Sequence, residues 1–278
     1  MLKDKANAKI NLGLNIVGIL PNGYHQLEML ELPLELADEI SIFPSEEYNF
    51  ICNASLPENN TVYKAFEVCK NKYRFKENFT VVLTKQIPSQ AGLGGGSADG
   101  AAMLRLLNRY YQWNDPKELL KLAQEVGADV PFCLFNKPAL VTGIGEKVKL
   151  IPFTDPDYFV LLIKPHQGVS TQLCYRNYED DQAAHPDIEL LAKSLIEGNE
   201  PLIKKYQGNS LENAAFKLNP QIRPIKQELV DYGFNIVLMT GSGACVYALS
   251  KDQTQIQQAY SHFKNRYEYV AVTKVLPA

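Results

Sequence analysis

A glycine-rich segment, residues 88–98, is the part of this sequence whose composition points most directly to chemistry. It follows a predicted strand over residues 79–84 and leads into a predicted helix over residues 97–111. Glycines without a Cβ let backbone N–H groups close around an anion, and a helix N-terminus adds unpaired donors and the positive end of the helix dipole. Four of the five residues 92–96 are glycine. So many glycines would destabilise a plain flexible turn, which favours a phosphate-binding loop.

Two better-known phosphate-binding patterns do not fit this segment. The Walker A pattern G-x-x-x-x-G-K-[ST] needs a lysine after its last glycine, and no lysine follows a glycine here. The dinucleotide pattern G-x-G-x-x-G needs a third glycine, but three residues after Gly94 the sequence has Ser97. Neither class of nucleotide site is therefore predicted.

A second turn of small residues, Thr-Gly-Ser-Gly-Ala at 240–244, joins two predicted strands. A hairpin turn is the favoured interpretation of this composition. A functional role for the turn requires that it face the first loop.

Two polar residues interrupt the first predicted strand, over residues 8–17. Lys9 and Asn11 share one face of this strand, while apolar residues alternate on the other face. A solvated strand edge is the ordinary interpretation of such a pair.

Asp129 and the pair Tyr24-His25 lie next to predicted turns. Asp129 follows the predicted helix end at Gly127, where it could form an Asx-turn or a cap, or accept a proton from a hydroxyl group. Tyr24 and His25 could pack locally, or stack on and hydrogen-bond a flat ring.

Five segments taken together resemble the GHMP small-molecule kinases. They occur in the order AKINLGL at 8–14, NGYH at 22–25, AGLGGGS at 91–97, GADVPF at 127–132 and TGSGAC at 240–245. The resemblance runs from about residue 5 to the C-terminus. The glycine-rich loop is specific for the superfamily. The motifs AKINL, GYH and GADVPF resemble the members that phosphorylate the 2-hydroxyl of 4-diphosphocytidyl-2-C-methyl-D-erythritol, a step of non-mevalonate isoprenoid precursor synthesis.

The resemblance implies an ATP- and Mg²⁺-dependent kinase whose substrate carries a cytidine diphosphate moiety. It gives the catalytic positions to Lys9 and Asp129, and the adenine side to Asn60. The ATP-phosphate loop then consists of Pro88, Ser89, Gln90, Ala91, Gly92, Leu93, Gly94, Gly95, Gly96, Ser97 and Ala98. The substrate side has Tyr24, His25 and Tyr175 at the cytosine, Asn11 near the polyol, and Thr171 as a weaker candidate.

Three departures from the family pattern leave room for a diverged member. The loop continues Ser97-Ala98-Asp99-Gly100-Ala101 where the family usually has S-S-D-A-A, Ile144 stands where Arg is frequent, and Thr61 follows Asn60 in place of Leu. The alternatives are a kinase for a homoserine- or mevalonate-like alcohol and a non-catalytic nucleotide-binding protein. Against the first, no clear basic clamp for a carboxylate or phosphate lies near Tyr24-His25. Against the second, both Lys9 and Asp129 are present.

The elements that must hold these residues predict an α+β fold of two subdomains. In the first half, strands at 8–17, 39–43 and 79–84 accompany helices at 61–73, with Asn60 as N-cap, at 97–111, and from Asp115 to Gly127. The second half predicts strands at 158–164, 235–239, 245–249 and 267–275, with helices at 188–207, 221–232 and 253–265. That is a ferredoxin-like βαββαβ order with an extra helix. The limits are placed at 1–153 and 154–278, and the resemblance implies an S5-like N-terminal domain. The active site is expected in the cleft between the two.

Composition excludes several other classes of protein. The chain has 278 residues, of which 46% are apolar, and a net charge of −3, which does not favour binding to nucleic acid. Neither a membrane span nor a signal peptide is predicted. Five widely spaced cysteines predict reduced thiols in a cytoplasmic protein. Composition leaves the oligomeric state and the metal ligands open.

Overall fold

Two long strands, β1 (Leu2–Ile19) and β2 (His25–Ser45), begin the computed structural model, which describes residues 1–278. The chain reverses between them in a tight turn, in which the backbone N–H of Leu20 donates to the carbonyl oxygen of Tyr24 at 2.7 Å. Both strands exceed their predicted lengths. The middle of β1 is buried on both faces, and such a strand does not show the simple polar–apolar alternation on which the prediction relied.

The chain forms two compact units, each built from several segments of the sequence. The first unit comprises Met1–Ala8, Leu36–Ile87 and Gly94–Asn136, and the second comprises Lys9–Glu35, Pro88–Leu93 and Lys137–Ala278. Strands β1 and β2 therefore run from one unit into the other. The domain limits 1–153 and 154–278 stay a prediction.

The first unit combines helices with one edge of a sheet. Its further elements are β3 (Asn49–Cys52), α1 (Thr61–Tyr73), β4 (Asn78–Thr84), α2 (Gly95–Tyr111), α3 (Pro116–Val126) and α4 (Val130–Phe135). Strand β4 pairs antiparallel with β2 and parallel with β3. The predicted caps are confirmed, because Asn60 Oδ1 accepts from the N–H groups of Val62 and Tyr63, and Asp115 accepts from that of Glu118.

The second unit contains the ferredoxin-like part. Its elements are β5 (Ala139–Gly143), β6 (Lys147–Leu150), β7 (Phe159–Lys164), α5 (Thr171–Arg176), a 3₁₀ turn (Asp180–Gln182), α6 (Ile188–Ile196), α7 (Glu200–Tyr206), β8 (Gly208–Asn209), α8 (Glu212–Leu218), α9 (Ile222–Asp231), β9 (Ile236–Met239), β10 (Val246–Ser250), α10 (Gln253–Phe263) and β11 (Tyr269–Lys274). Strands β11-β7-β10-β9 form an antiparallel sheet in that order, which confirms the predicted ferredoxin-like arrangement.

The helix predicted over residues 188–207 is wrong in one respect, since it is two helices. Helix α6 ends before Gly198, whose φ of +66° is left-handed, and Asn199 caps the start of α7 by accepting from the N–H of Leu202. Both residues favour a break. None of the helices combines the length and the apolar composition that a membrane span requires.

Candidate active site

The glycine-rich loop leads directly into helix α2, as predicted. Gly92 and Gly94 both have left-handed backbone, with φ of +72° and +71°, which glycine adopts without strain. Helix α2 begins at Gly95 and is 17 residues long, so its first N–H groups lack intrahelical partners and its dipole presents a positive end to the loop. This local geometry suits an anion such as phosphate.

The second small-residue turn packs against this loop. A Cβ on Gly92 would lie 2.0 Å from the carbonyl oxygen of Thr240, so only glycine fits there. The N–H of Ala244 donates to the carbonyl of Gln90 at 3.1 Å, and Thr240 Oγ1 donates to the carbonyl of Gly92 at 3.1 Å. The predicted hairpin between β9 and β10 is confirmed. The turn also faces the glycine-rich loop, as a functional role would require.

Asn11 joins strand β1 to the same turn. The N–H of Gly241 donates to Asn11 Oδ1 at 3.0 Å, and the N–H of Asn11 donates to Thr240 Oγ1 at 3.2 Å. The hydroxyl of Tyr247 donates to the carbonyl of Asn11 at 2.9 Å. Asn11 is fully buried, and both its backbone and its side chain are held in place.

Lys9 lies beside Asn11 in a buried group that also contains Glu31, here called the Lys9 network (Lys9, Asn11 and Glu31). Lys9 Nζ donates to Asn11 Oδ1 at 2.7 Å and to Glu31 Oε1 at 2.8 Å. Lys9 is 4% exposed and Glu31 0%. The interpretation of Lys9 and Asn11 as a solvated strand edge is therefore wrong.

Glu31 is a residue that the sequence analysis missed. It lies on β2, where its neighbours Met29, Leu30 and Leu32 are buried and apolar. A lone carboxylate inside such a run was the available signal, since a buried charge needs a partner.

Asp129 belongs to the first unit and directly precedes α4. Its side chain makes no capping hydrogen bond, unlike those of Asn60 and Asp115. Asp129 therefore occupies the N-cap position of α4 without acting as a side-chain cap. Asp129 is half-buried, and its carboxylate does not accept a hydrogen bond from the first N–H groups of α4.

The residues predicted to bind cytosine include a ring cluster in the second unit. The rings of His25 and Tyr175 lie 5.1 Å apart, and Tyr178, which the sequence analysis missed, meets His25 edge-on at 5.5 Å. Burial lowers the pKa of His25 below its usual value of 6.5, which favours the neutral ring. Tyr24 is 59% exposed, and the exposed Thr171 pairs with Ser242 through their hydroxyl oxygens at 2.9 Å.

A second buried ionic group, the Lys85 cluster (Lys85, Asp38 and Asp99), lies in the first unit and was also missed. Lys85 Nζ lies 2.6 Å from Asp99 Oδ2 and also contacts Asp38 Oδ2. Asp38 Oδ1 accepts from the N–H groups of Gln86 and Ile87. Burial raises the pKa of Asp99 to about 7, and the Lys85 ammonium offsets that shift only in part.

One departure from the family pattern, Gly100, has a structural setting in this unit. A Cβ on Gly100 would lie 3.2 Å from the carbonyl oxygen of Thr61, so the glycine lets α1 and α2 pack closely. Asn60 uses its side-chain oxygen as the α1 cap, and its role toward adenine stays a prediction.

No group of three or more His, Cys, Asp or Glu side chains is placed to hold a metal ion.

Comparison with known proteins agrees with this geometry. The model of the GHMP kinases N-terminal domain matches residues 60–137, and that of the GHMP kinases C-terminal domain matches residues 187–268. A 4-diphosphocytidyl-2-C-methyl-D-erythritol kinase of Clostridium kluyveri is 37% identical over 278 residues, which is 98% of this chain and 99% of that protein. The chain belongs to the GHMP kinases.

Solved GHMP kinase structures confirm the expected two-domain α+β fold. A crystal structure of a 4-(cytidine 5'-diphospho)-2C-methyl-D-erythritol kinase has a TM-score of 0.84 and 28% identity, with 100% of both chains covered. A homoserine kinase from Cytophaga hutchinsonii has a TM-score of 0.74 at 23% identity, covering 99% of this chain and 96% of its own. The second similarity is one of fold alone.

Proposed function

We propose that this GHMP kinase transfers the γ-phosphate of ATP to the 2-hydroxyl of 4-diphosphocytidyl-2-C-methyl-D-erythritol, in the cytoplasm. The observation that carries the proposal is the full-length similarity, at 37% identity, to a relative named for that substrate. The buried Lys9 network and the His25–Tyr175 ring pair support it from the site. The product would enter non-mevalonate isoprenoid precursor synthesis.

The loop of residues 88–98 suits the ATP phosphates, because its donors are backbone N–H groups at the start of α2. Mg²⁺ bound with the nucleotide would neutralise charge on the phosphate oxygens. Since no cluster of three protein ligands is present, we propose that the phosphates supply most of the metal's ligands. Asn60 would lie on the adenine side.

The chemical step needs a positive charge and a proton acceptor, since phosphoryl transfer is mainly positioning and charge stabilisation. Lys9 would neutralise charge that develops on the transferred phosphate. Asp129 would accept the proton of the attacking hydroxyl. Its carboxylate is suited to this role because it makes no helix cap.

The cytosine would bind among Tyr24, His25 and Tyr175. Flat bases stack on aromatic side chains, and a neutral imidazole can both donate to and accept from the polar edge of a base. Asn11 and Thr171 complete the proposed substrate side. Asn11 is fully buried, so we assign it mainly to the positioning of Lys9.

An ATP-consumption assay with three acceptors tests this function. The cytidyl substrate, homoserine and mevalonate are offered separately, and turnover with the cytidyl substrate alone is expected. Turnover only with homoserine or mevalonate would identify a diverged GHMP kinase. ATP binding without turnover of any acceptor would indicate a non-catalytic nucleotide-binding protein.

A further inference from the structure

We propose that Glu31 is a positioning residue that fixes the direction of the Lys9 ammonium for phosphoryl transfer, an inference that rests on the proposed function. Glu31 acts through Lys9 and Asn11 and needs no contact with either substrate.

The Lys9 network is a closed ring of hydrogen bonds. Lys9 Nζ donates to Asn11 Oδ1 at 2.7 Å and to Glu31 Oε1 at 2.8 Å, and Asn11 Nδ2 donates to the same Glu31 oxygen at 2.9 Å. An ammonium group has three N–H donors in tetrahedral directions. These two bonds therefore constrain the orientation of the Lys9 ammonium.

Glu31 also determines the orientation of the Asn11 amide. Because Nδ2 donates to the carboxylate, Oδ1 faces Lys9 and the N–H of Gly241, from which it accepts at 3.0 Å. Gly241 follows Thr240, which contacts the carbonyl of Gly92 in the glycine-rich loop. The chain of contacts from Glu31 thus ties Lys9 to the backbone that leads into the phosphate site.

Burial and charge indicate that the Lys9 network does more than fill space in the core. Glu31 is fully buried on β2, where it lies opposite Ala139 of β5. Burying an ion pair is a poor way to gain stability, because apolar residues of similar size usually do as well. The Glu31 carboxylate does, however, hold a negative charge 2.8 Å from Lys9 Nζ, in a fixed direction. A positive, oriented ammonium is what phosphoryl transfer requires.

Glu31→Gln, with Glu28→Gln as the matched control, provides the first test. Glu28 lies on the same strand, three residues earlier, but is exposed. We expect Glu31→Gln to lower kcat with the cytidyl substrate on the order of 10²-fold, since small misplacements of a catalytic group have effects of that size. The ATP Kd should stay within about twofold of wild type, and Glu28→Gln should leave kcat unchanged.

Glu31→Asp keeps the charge but shortens the side chain by one methylene group, so it remains informative where Glu31→Gln fails to fold. Its kcat should fall less than that of Glu31→Gln, because the ammonium keeps its counter-charge. A merely structural role would lower the melting temperature and leave the kcat of the folded fraction unchanged. A kcat within twofold of wild type in both variants overturns the inference.

The side-chain ¹⁵N NMR signal of the Lys9 ammonium separates this inference from the proposed function, because it requires no turnover. In wild type, the hydrogen bonds should slow proton exchange enough to make the signal visible, and Lys9→Met assigns it. Loss or displacement of the signal in Glu31→Gln or Glu31→Asp, but not in Glu28→Gln, supports the positioning role even in a chain that phosphorylates none of the three acceptors. An unchanged signal overturns the inference, whichever substrate the wild-type chain uses.

Discussion

The Lys9 network and the Lys85 cluster bury charge in different ways. Lys9 contacts the carboxylate of Glu31 and the neutral amide of Asn11, so the three side chains carry no net charge when ionised. Lys85 contacts the two carboxylates of Asp38 and Asp99, so its cluster would carry one negative charge.

In the Lys85 cluster, burial and the second carboxylate, that of Asp38, both raise the pKa of Asp99. In the Lys85 cluster one ammonium serves two carboxylates, and burial raises the pKa of Asp99 to about 7. A buried cluster with excess carboxylate takes up a proton near neutral pH. The balanced arrangement suits catalysis, and the unbalanced one makes stability depend on pH.

Exchanging each lysine for methionine should separate the two groups most strongly. Lys9→Met should lower kcat on the order of 10³-fold, because it removes the charge that stabilises the transferred phosphate. Lys85→Met should instead lower the free energy of unfolding by about 3–5 kcal/mol, since it leaves buried carboxylates without their cation. Steady-state kinetics and urea unfolding of both variants check this. A larger loss of kcat in Lys85→Met than in Lys9→Met would reverse the proposed roles.

Asp129 sharpens the comparison within the first unit, because it is a carboxylate used neither in the Lys85 cluster nor as a helix cap. Asp129→Asn should lower kcat by a factor on the order of 10² or more and leave ATP affinity near wild type, because only the proton acceptor is lost. The matched control is Asp115→Asn, at the residue that caps α3. Asn is also a good N-cap, so the control should keep its kcat. A near-normal kcat in Asp129→Asn would remove this residue from the mechanism.

Local signals explain what the sequence could predict about these regions. Helix α1 begins where Asn60 predicts it, because a cap acts on N–H groups two and three residues away. The glycine-rich loop was also recognisable, since the conformations of Gly92 and Gly94 require a residue type that is visible in the sequence.

Pairing over long distances explains what the sequence could not predict. The Lys9–Glu31 contact spans 22 residues and the Thr240–Gly92 contact spans 148, and both depend on strand register that no local pattern specifies. Strand β8 has only two residues, too few to show any periodicity. The sequence shows Glu31 as a lone charge in an apolar run, but it does not show that Lys9 is its partner.

Tyr24→Ala tests whether Tyr24 contributes to binding of the acceptor, a role separate from the charge that Lys9 supplies. Stacking on a base contributes about 1–3 kcal/mol in ground and transition states alike, so the KM for the cytidyl substrate should rise roughly 5- to 150-fold with little change in kcat. Because Tyr24 is 59% exposed, the melting temperature should stay near wild type. A variant that melts lower but keeps its KM would show that Tyr24 only packs in its turn.

A further expected effect is the pH dependence of stability that Asp99 confers on the Lys85 cluster. The pKa of Asp99 is raised by burial from an ordinary 3.8 to about 7, so between these values the folded chain binds a proton that the unfolded chain has lost. The free energy of unfolding should therefore fall as the pH rises from about 4 to about 7. The side chain of residue 99 cannot titrate in Asp99→Asn, so the stability of this variant should fall less steeply over this interval.

Urea unfolding at several pH values measures the two slopes, with Asp157→Asn, at an exposed residue, as control. Parallel curves for wild type and Asp99→Asn would mean that Asp99 stays ionised throughout, and the Lys85 cluster would then tolerate its excess charge without taking up a proton.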